Sequence, residues 1–144
     1  MQDFISVARN HLIKNWQDSW NETVNNKLNF IKKSVQPWQS SNCSSRWEEV
    51  VLTRLRIGHC YVTHCHLLIG APSPFCTRCQ AVVNVKHILL DCPLYRTQRQ
   101  QILGINPARL PSIRKVLGDP PSIAIDRVCS YLSAIRCKVV FNKY

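Results

Sequence analysis

The sequence predicts a mostly α-helical fold, a small irregular domain of 144 residues. Over long stretches the apolar residues recur at steps of three and four, which is the period of a helix with one buried face. Capping residues and helix-stopping residues flank these stretches, and the length is typical of a single domain. We therefore expect several short helices joined by irregular connections.

The first predicted helix covers Phe4–Val24, where the apolar side chains form one broad face. Asn25 and Asn26 mark its predicted end. Residues 27–42 lack a clean period and contain a proline together with several Ser and Asn residues. They are predicted to form an extended or irregular connector.

The second predicted helix begins at a capping box, in which Ser45 and Glu48 provide the S-x-x-E pattern, and it ends at Gly58. Arg54 falls within the apolar stripe of this helix, so we expect its guanidinium to pair with an internal acceptor. Arg56 projects to the opposite side and is a candidate phosphate contact. The alternative for Arg56 is an ordinary solvated charge.

Three further helices are predicted towards the C-terminus, at Pro93–Leu103, Ser112–Leu117 and Ser122–Lys138. Gly104 follows the first of them as a stop signal. The chain is accordingly divided into three regions. They are an N-terminal helix and connector (1–42), a helical region with a cysteine and histidine cluster (43–103) and a basic helical tail (104–144).

Three cysteines and one histidine with the spacing C-x₂-C-x₇-H-x₄-C predict a metal site in the middle of the chain. These residues are Cys76, Cys79, His87 and Cys92. Three thiolates and one imidazole complete a tetrahedral shell for Zn²⁺, with no position open for water or substrate. We therefore expect a structural zinc ion rather than a catalytic one. The alternative is that these are ordinary buried or disulfide-bonded cysteines.

The charge of the chain favours a polyanionic partner. Nineteen Lys and Arg residues against eight Asp and Glu residues give a formal net charge of +11. Near the cluster, Arg78 and Lys86 are candidate phosphate contacts. Phe75 and Tyr95 flank the cluster and are predicted either to stack on bases or to cover the metal. The alternative is a basic protein without a nucleic-acid partner.

The distribution of charges also bears on the compartment. Charged residues interrupt the apolar stretches among the first thirty residues, so no signal peptide is predicted there. No apolar run reaches the length of a membrane span. We therefore expect an intracellular chain, cytoplasmic or nuclear and not secreted, in which the eight cysteines are reduced and no membrane is a partner.

A second group of possible metal ligands lies in the segment 59–66, which contains three histidines and two cysteines. Its spacing is not that of a compact metal site, and we expect structural histidines in a short helix capped near Thr63. A nucleophile built from Cys65 with His59 or His64 is a further alternative. Nothing in the sequence marks an oxyanion hole or an orienting third group for such an enzyme.

Two segments carry a resemblance to a known family. They are Val51–Leu68, VLTRLRIGHCYVTHCHLL, and Cys76–Cys92, CTRCQAVVNVKHILLDC. Both resemble the C-terminal, post-RNase H region of jockey-like, LINE-type non-LTR retrotransposon polyproteins. The matching positions are Leu52, Arg54, Leu55, Arg56, Gly58, His59, Thr63, His64, Cys76, Cys79, His87, Ile88, Leu89, Cys92 and Tyr95. Cys60 and Asp91 depart from the family pattern, which has threonine and glutamate there.

The resemblance covers about residues 4–140 and is most specific over 51–92. It implies a zinc-knuckle-like cluster, and a parent protein with RNA-directed DNA polymerase and ribonuclease H activities. RNase H chemistry needs carboxylates clustered around two Mg²⁺ ions. The eight acidic residues of this chain do not show such a pattern, and no polymerase motif is present. We therefore predict no catalytic residues and no enzyme activity for this chain alone.

Two functions follow as expectations from the cluster, the charge and the resemblance. The first is a retroelement-derived, zinc-stabilised module that binds RNA or single-stranded DNA. The alternative is a zinc-organised accessory domain that docks on an RNase H or reverse transcriptase core and binds no nucleic acid itself. Salt-dependent binding of oligonucleotides distinguishes the two.

Overall fold

A computed structural model describes residues 2–23, 25–38 and 43–137, and it is mostly helical, as predicted. The α-helices are α1 (Gln2–Glu22), α2 (Arg46–Ile57), α3 (Tyr61–Leu68), α4 (Arg96–Gln98), α5 (Ile113–Leu117) and α6 (Ile125–Ala134). Helical turns of the 3₁₀ type cover Lys27–Phe30 and Pro93–Tyr95, and π-helical turns cover His87–Asp91 and Arg99–Leu103. The strands β1 (Phe75–Cys76) and β2 (Ala81–Val82) form an antiparallel hairpin.

The helix α1 contacts the remainder of the structure through its C-terminal half. Trp20 Nε1 donates a hydrogen bond to the carbonyl of Lys32 at 2.9 Å, and Gln17 Nε2 donates to the carbonyl of Lys33 at 2.9 Å. Five large apolar side chains of α1, most of them towards its N-terminus, are exposed. These are Phe4, Ile5, Val7, Leu12 and Trp16. The apolar period thus predicted the helix correctly, but most of the broad apolar face is not buried within the described residues.

The connector after α1 is mostly irregular, as predicted, although Lys27–Phe30 forms a 3₁₀ turn. The side chain of Asn26 caps this turn by accepting a hydrogen bond from Leu28 N at 2.9 Å. The predicted helix end at Val24 and the last four connector residues, 39–42, lie outside the described residues.

The helix α2 has the predicted ends. The side chain of Ser45 accepts from Glu48 N at 3.3 Å, and Gly58 adopts the left-handed conformation with φ +80°. The carboxylate of Glu48 accepts from Ser44 N rather than from Ser45 N. The buried residues of α2 are Val51, Leu52 and Leu55, whereas Trp47 and Ile57 of its apolar stripe are each 44% exposed.

One buried apolar cluster joins residues from all three predicted regions. Its members include Ile31, Val51, Leu52, Leu55, Ile88, Leu89, Leu103, Val116, Leu117, Val128 and Leu132. Within the described ranges, no helix combines the length and the apolar character that spanning a bilayer requires.

The C-terminal helices support the segment that carries two of the predicted metal ligands. The predicted helix at Pro93–Leu103 is present as consecutive 3₁₀, α and π turns, and it ends at Gly104 with φ +68°. The last helix, α6, is shorter than predicted, and Lys138 lies outside the described residues. Tyr131 of α6 is fully buried, and its hydroxyl donates to the carbonyl of Ile88 at 2.7 Å.

Candidate metal centre

The hairpin β1–β2 presents the first two cysteines. Cys76 pairs with Ala81 across the hairpin, so the chain reverses direction over the four residues between them. Gln80 takes a positive φ of +51° at the end of this turn, and its side-chain amide donates to Thr77 O at 2.7 Å. The turn therefore brings Cys79 back towards Cys76, as the C-x₂-C spacing predicts.

A π-helical turn presents the other two ligands. Asn84 Oδ1 accepts from His87 N at 2.8 Å and so caps the start of this helical segment. The turn closes with a hydrogen bond from Cys92 N to the carbonyl of His87 at 2.9 Å. In an α-helix, residues five apart would differ by about 140° around the axis. The wider i to i+5 turn instead brings His87 and Cys92 to the same side.

The four ligand atoms lie within 4.8 Å of one another, so they can hold one metal ion. The sulfur of Cys92 is 3.9 Å from that of Cys76 and 3.8 Å from that of Cys79. His87 and Cys92 are buried, whereas Cys76 and Cys79 are half-buried. Within the described part of the chain, His87 Nε2 is buried without a hydrogen-bond partner, which leaves it available as a ligand.

The electrostatics of the cluster also suit a bound cation. The backbone N–H of Cys79 lowers the pKa of Cys76 to about 6, so one thiolate is stable at neutral pH. Burial, together with the neighbouring thiols of Cys76 and Cys92, raises the pKa of Cys79 to about 12. Three thiolates at these separations repel one another unless a cation lies between them. A bound metal ion supplies that charge and deprotonates all three thiols.

A buried arginine holds the segment that carries the last ligand. Arg99 is 4% exposed, and its Nε donates to Leu89 O at 2.8 Å while Nη2 donates to Cys92 O at 2.7 Å. These carbonyls lie near the end of a helical turn, and that of Cys92 also accepts from Tyr95 N at 3.3 Å. Sequence reasoning missed this residue, because an arginine in a polar stretch gives no sign that it will be buried.

Two of the predicted nucleic-acid contacts lie beside the cluster. Phe75 and Tyr95 line a cavity of about 300 Å³, together with three of the metal ligands. Phe75 is 53% exposed, whereas Tyr95 is half-buried, and burial raises the pKa of its phenol. The position of Tyr95 favours the alternative interpretation, in which it covers the metal.

Arg78 and Lys86 are exposed in the segment Cys76–Cys92, which we call the metal loop. Arg78 occupies the turn between Cys76 and Cys79, and its side chain is exposed. Lys86 directly precedes His87, and its Nζ lies 3.2 Å from Asp91 Oδ2.

The structure differs from the sequence prediction at Arg56. Its Nε donates to Leu117 O and its Nη2 to Gly118 O, both at 2.8 Å, and its guanidinium lies 3.9 Å from the centroid of the Trp38 ring. Burial lowers its pKa. Arg56 thus has internal acceptors, because the end of α5 packs on the side of α2 that the helical period assigns to solvent.

The histidine-rich segment does not assemble a second metal site among the described residues, where the Cys76 cluster is the one group of three or more suitable ligands. The rings of His59 and His64 have centroids 4.0 Å apart, and Thr63 Oγ1 lies 2.7 Å from His64 Nδ1. Thr63 also accepts from Cys60 N at 3.1 Å at the start of α3. These contacts agree with a structural role for the segment.

No family model, curated protein sequence or solved structure matches this chain. The resemblance to retrotransposon polyproteins therefore stays a prediction.

Proposed function

We propose that this chain is a zinc-stabilised module, derived from a retroelement, that binds RNA or single-stranded DNA. The observation that carries the proposal is the compact group of three cysteines and one histidine, whose loop exposes Arg78 and Lys86. A metal ion held by this group would fix the loop between the ligands, so that its exposed cations can contact phosphates.

Zinc is the ion that suits this ligand set best. Soft thiolate ligands with one imidazole are typical of structural zinc sites. Sulfurs bound about 2.3 Å from a tetrahedral zinc ion lie about 3.8 Å apart. The two sulfur separations of 3.8 and 3.9 Å agree with that value. A shell of four protein ligands leaves no position for substrate, so the proposed role of zinc is structural.

The choice of a nucleic acid rests on charge. The net charge of +11 is carried by a chain of only 144 residues, so the protein attracts polyanions. The pair between Lys86 and Asp91 is largely exposed, and exposed pairs contribute little energy. A phosphate can therefore compete with Asp91 for the ammonium of Lys86.

Replacing Arg78 or Lys86 by alanine is expected to weaken the binding of a single-stranded oligonucleotide. Log affinity falls with log salt, and each lost phosphate contact makes that negative slope less steep by about 0.7. The measurement is fluorescence anisotropy of a labelled 12-nucleotide RNA at several salt concentrations. Lys14→Ala is the matched control, because Lys14 is an exposed cation on α1, remote in sequence from the metal loop.

Unchanged affinity and slope in both variants, with oligonucleotide binding intact, would remove Arg78 and Lys86 from the interface. Absence of salt-dependent binding by the unaltered, zinc-loaded protein to RNA and to single-stranded DNA would contradict the proposed function itself. The Lys14→Ala protein has to match the unaltered protein for the comparison to count.

The exposed apolar side chains of α1 favour a second candidate function. Phe4 is 79% exposed and Leu12 is 67% exposed, and such residues on one helix are typical of a surface that binds another protein. In this alternative, the chain is an accessory domain that docks on an RNase H or reverse transcriptase core. Binding to such a core, without retardation of any oligonucleotide, would support it over the first proposal.

A further inference from the structure

A cavity of about 500 Å³ lies between the 3₁₀ turn Lys27–Phe30, the end of α2 and the segment before His87. Its volume falls within the range of about 300–1,000 Å³ that is common for ligand sites. The cavity lies apart from the metal cluster, since none of the four metal ligands lines it. We call it the basic cavity.

The floor of the basic cavity is apolar. Ile31, Leu55 and Val85 are each at most 7% exposed and form part of its lining. The ring of Phe30 also lines it and is 62% exposed. An aromatic ring beside an apolar floor suits a flat, weakly polar group, such as the face of a nucleobase.

The lining is also cationic. Lys27, Arg56 and Lys86 are among the lining residues, and none of the lining residues is acidic. Nearby, Lys33 Nζ lies 5.8 Å from the centroid of the Phe30 ring. Arg56 already donates to two carbonyls and lies near the carboxylate of Asp119, so the ammonium groups of Lys27 and Lys86 are the candidate phosphate contacts. Lys86 would exchange its exposed partner Asp91 for a phosphate.

A glycine allows one of these lysines to pack closely against the backbone. A Cβ atom at Gly58 would lie 2.9 Å from Cδ of Lys27, and Gly58 has a φ of +80°, which disfavours other residues. The aliphatic stem of Lys27 therefore lies against the backbone of Gly58, at the end of α2. Because its stem packs against Gly58, the side chain of Lys27 has fewer conformations available than a side chain that is free in solvent.

We propose that the basic cavity binds one unstacked base of a single-stranded nucleic acid, with the base on Phe30 and the flanking phosphates on Lys27 and Lys86. This inference rests on the proposed function and names the site where a base is held. It also implies selectivity for single strands. In a duplex the bases are paired and stacked, so no base face is available to the cavity.

The test is photocrosslinking of the zinc-loaded protein to a 12-nucleotide oligouridylate that carries one 5-iodouridine, with mass spectrometry of the peptides. The expected adduct lies on Phe30. In parallel, anisotropy measures the affinity of the same sequence without iodine. Phe30→Ala is expected to weaken binding by about 5- to 100-fold, which is the usual range for loss of one base–aromatic stack.

The matched control is Phe4→Ala, because Phe4 is also an exposed phenylalanine but lies on α1. Circular dichroism and zinc content are expected to be unchanged in both variants, since both rings are mostly exposed. A duplex of the same length is expected to bind more weakly than the single strand.

Three outcomes separate the two proposals. An adduct on Phe30 and a selective loss of affinity in Phe30→Ala support the site. Salt-dependent binding that is unaltered in Phe30→Ala, or equal for single strand and duplex, overturns the base site while the proposed function stands. Failure of the unaltered protein to bind any oligonucleotide, including the case in which it binds a protein core instead, overturns both.

Discussion

The Cys92→Ser variant is expected to lose zinc and to lose its cooperative unfolding transition. Cys92 is fully buried, and its sulfur lies within 3.9 Å of both other cysteine sulfurs of the cluster. A serine hydroxyl is not deprotonated there and cannot replace the thiolate as a ligand. Structural zinc binding is worth about 10–16 kcal/mol in zinc-finger peptides, which is comparable to the whole stability of a small domain.

The measurement is thermal unfolding by circular dichroism, together with the zinc content of the purified variant. Cys65→Ser is the matched control, because Cys65 is half-buried but does not belong to the cluster. We expect the control to retain one zinc ion and most of its stability. A Cys92→Ser protein that unfolds like the unaltered protein would show that the cluster does not stabilise the fold.

The Arg99→Ala variant is expected to lose about 3–5 kcal/mol of the free energy of unfolding. Two hydrogen bonds from a buried guanidinium disappear, each worth about 1.5–3 kcal/mol. The carbonyl of Leu89 loses this donor, whereas that of Cys92 keeps Tyr95 N at 3.3 Å. Since Arg99 also fixes the backbone of a metal ligand, zinc affinity should fall by about 10- to 100-fold. Urea denaturation measures the first effect, and competition with a chromophoric chelator measures the second.

Arg109→Ala serves as the control for this variant, because Arg109 is exposed in the loop before α5. Its stability and its zinc affinity should match those of the unaltered protein. The role that we assign to Arg99 would be wrong if Arg99→Ala also matched the unaltered protein in both measurements. A loss of stability with unchanged zinc affinity would restrict Arg99 to packing.

The candidate metal centre was predictable because its information is local. The C-x₂-C spacing needs only a tight turn, and Asn84 supplies a cap that can be read three positions before His87. The ends of α2 were predictable for the same reason, since Ser45 and Gly58 act on their immediate neighbours. In each case the turn or the cap that sets the local geometry joins residues only a few positions apart.

The contacts that sequence reasoning missed join distant segments. Arg56 reaches carbonyls more than sixty residues away, and a helical projection does not show which neighbour will pack on that side. The apolar period of α1 predicted a helix, but it does not say whether the face is covered, and Phe4 remains exposed. Phe30 is a candidate base contact because it lines a cavity that α2 completes. No local sequence signal therefore identifies it.

The central claim is that Cys76, Cys79, His87 and Cys92 hold one structural zinc ion. The most direct test is the metal content of protein purified under reducing conditions, with the helical signal followed during chelation. We expect about one zinc ion per chain, and loss of the helical signal as the chelator removes it. A well-folded chain that contains no zinc, and whose helical signal is unaffected by chelator, would contradict the account.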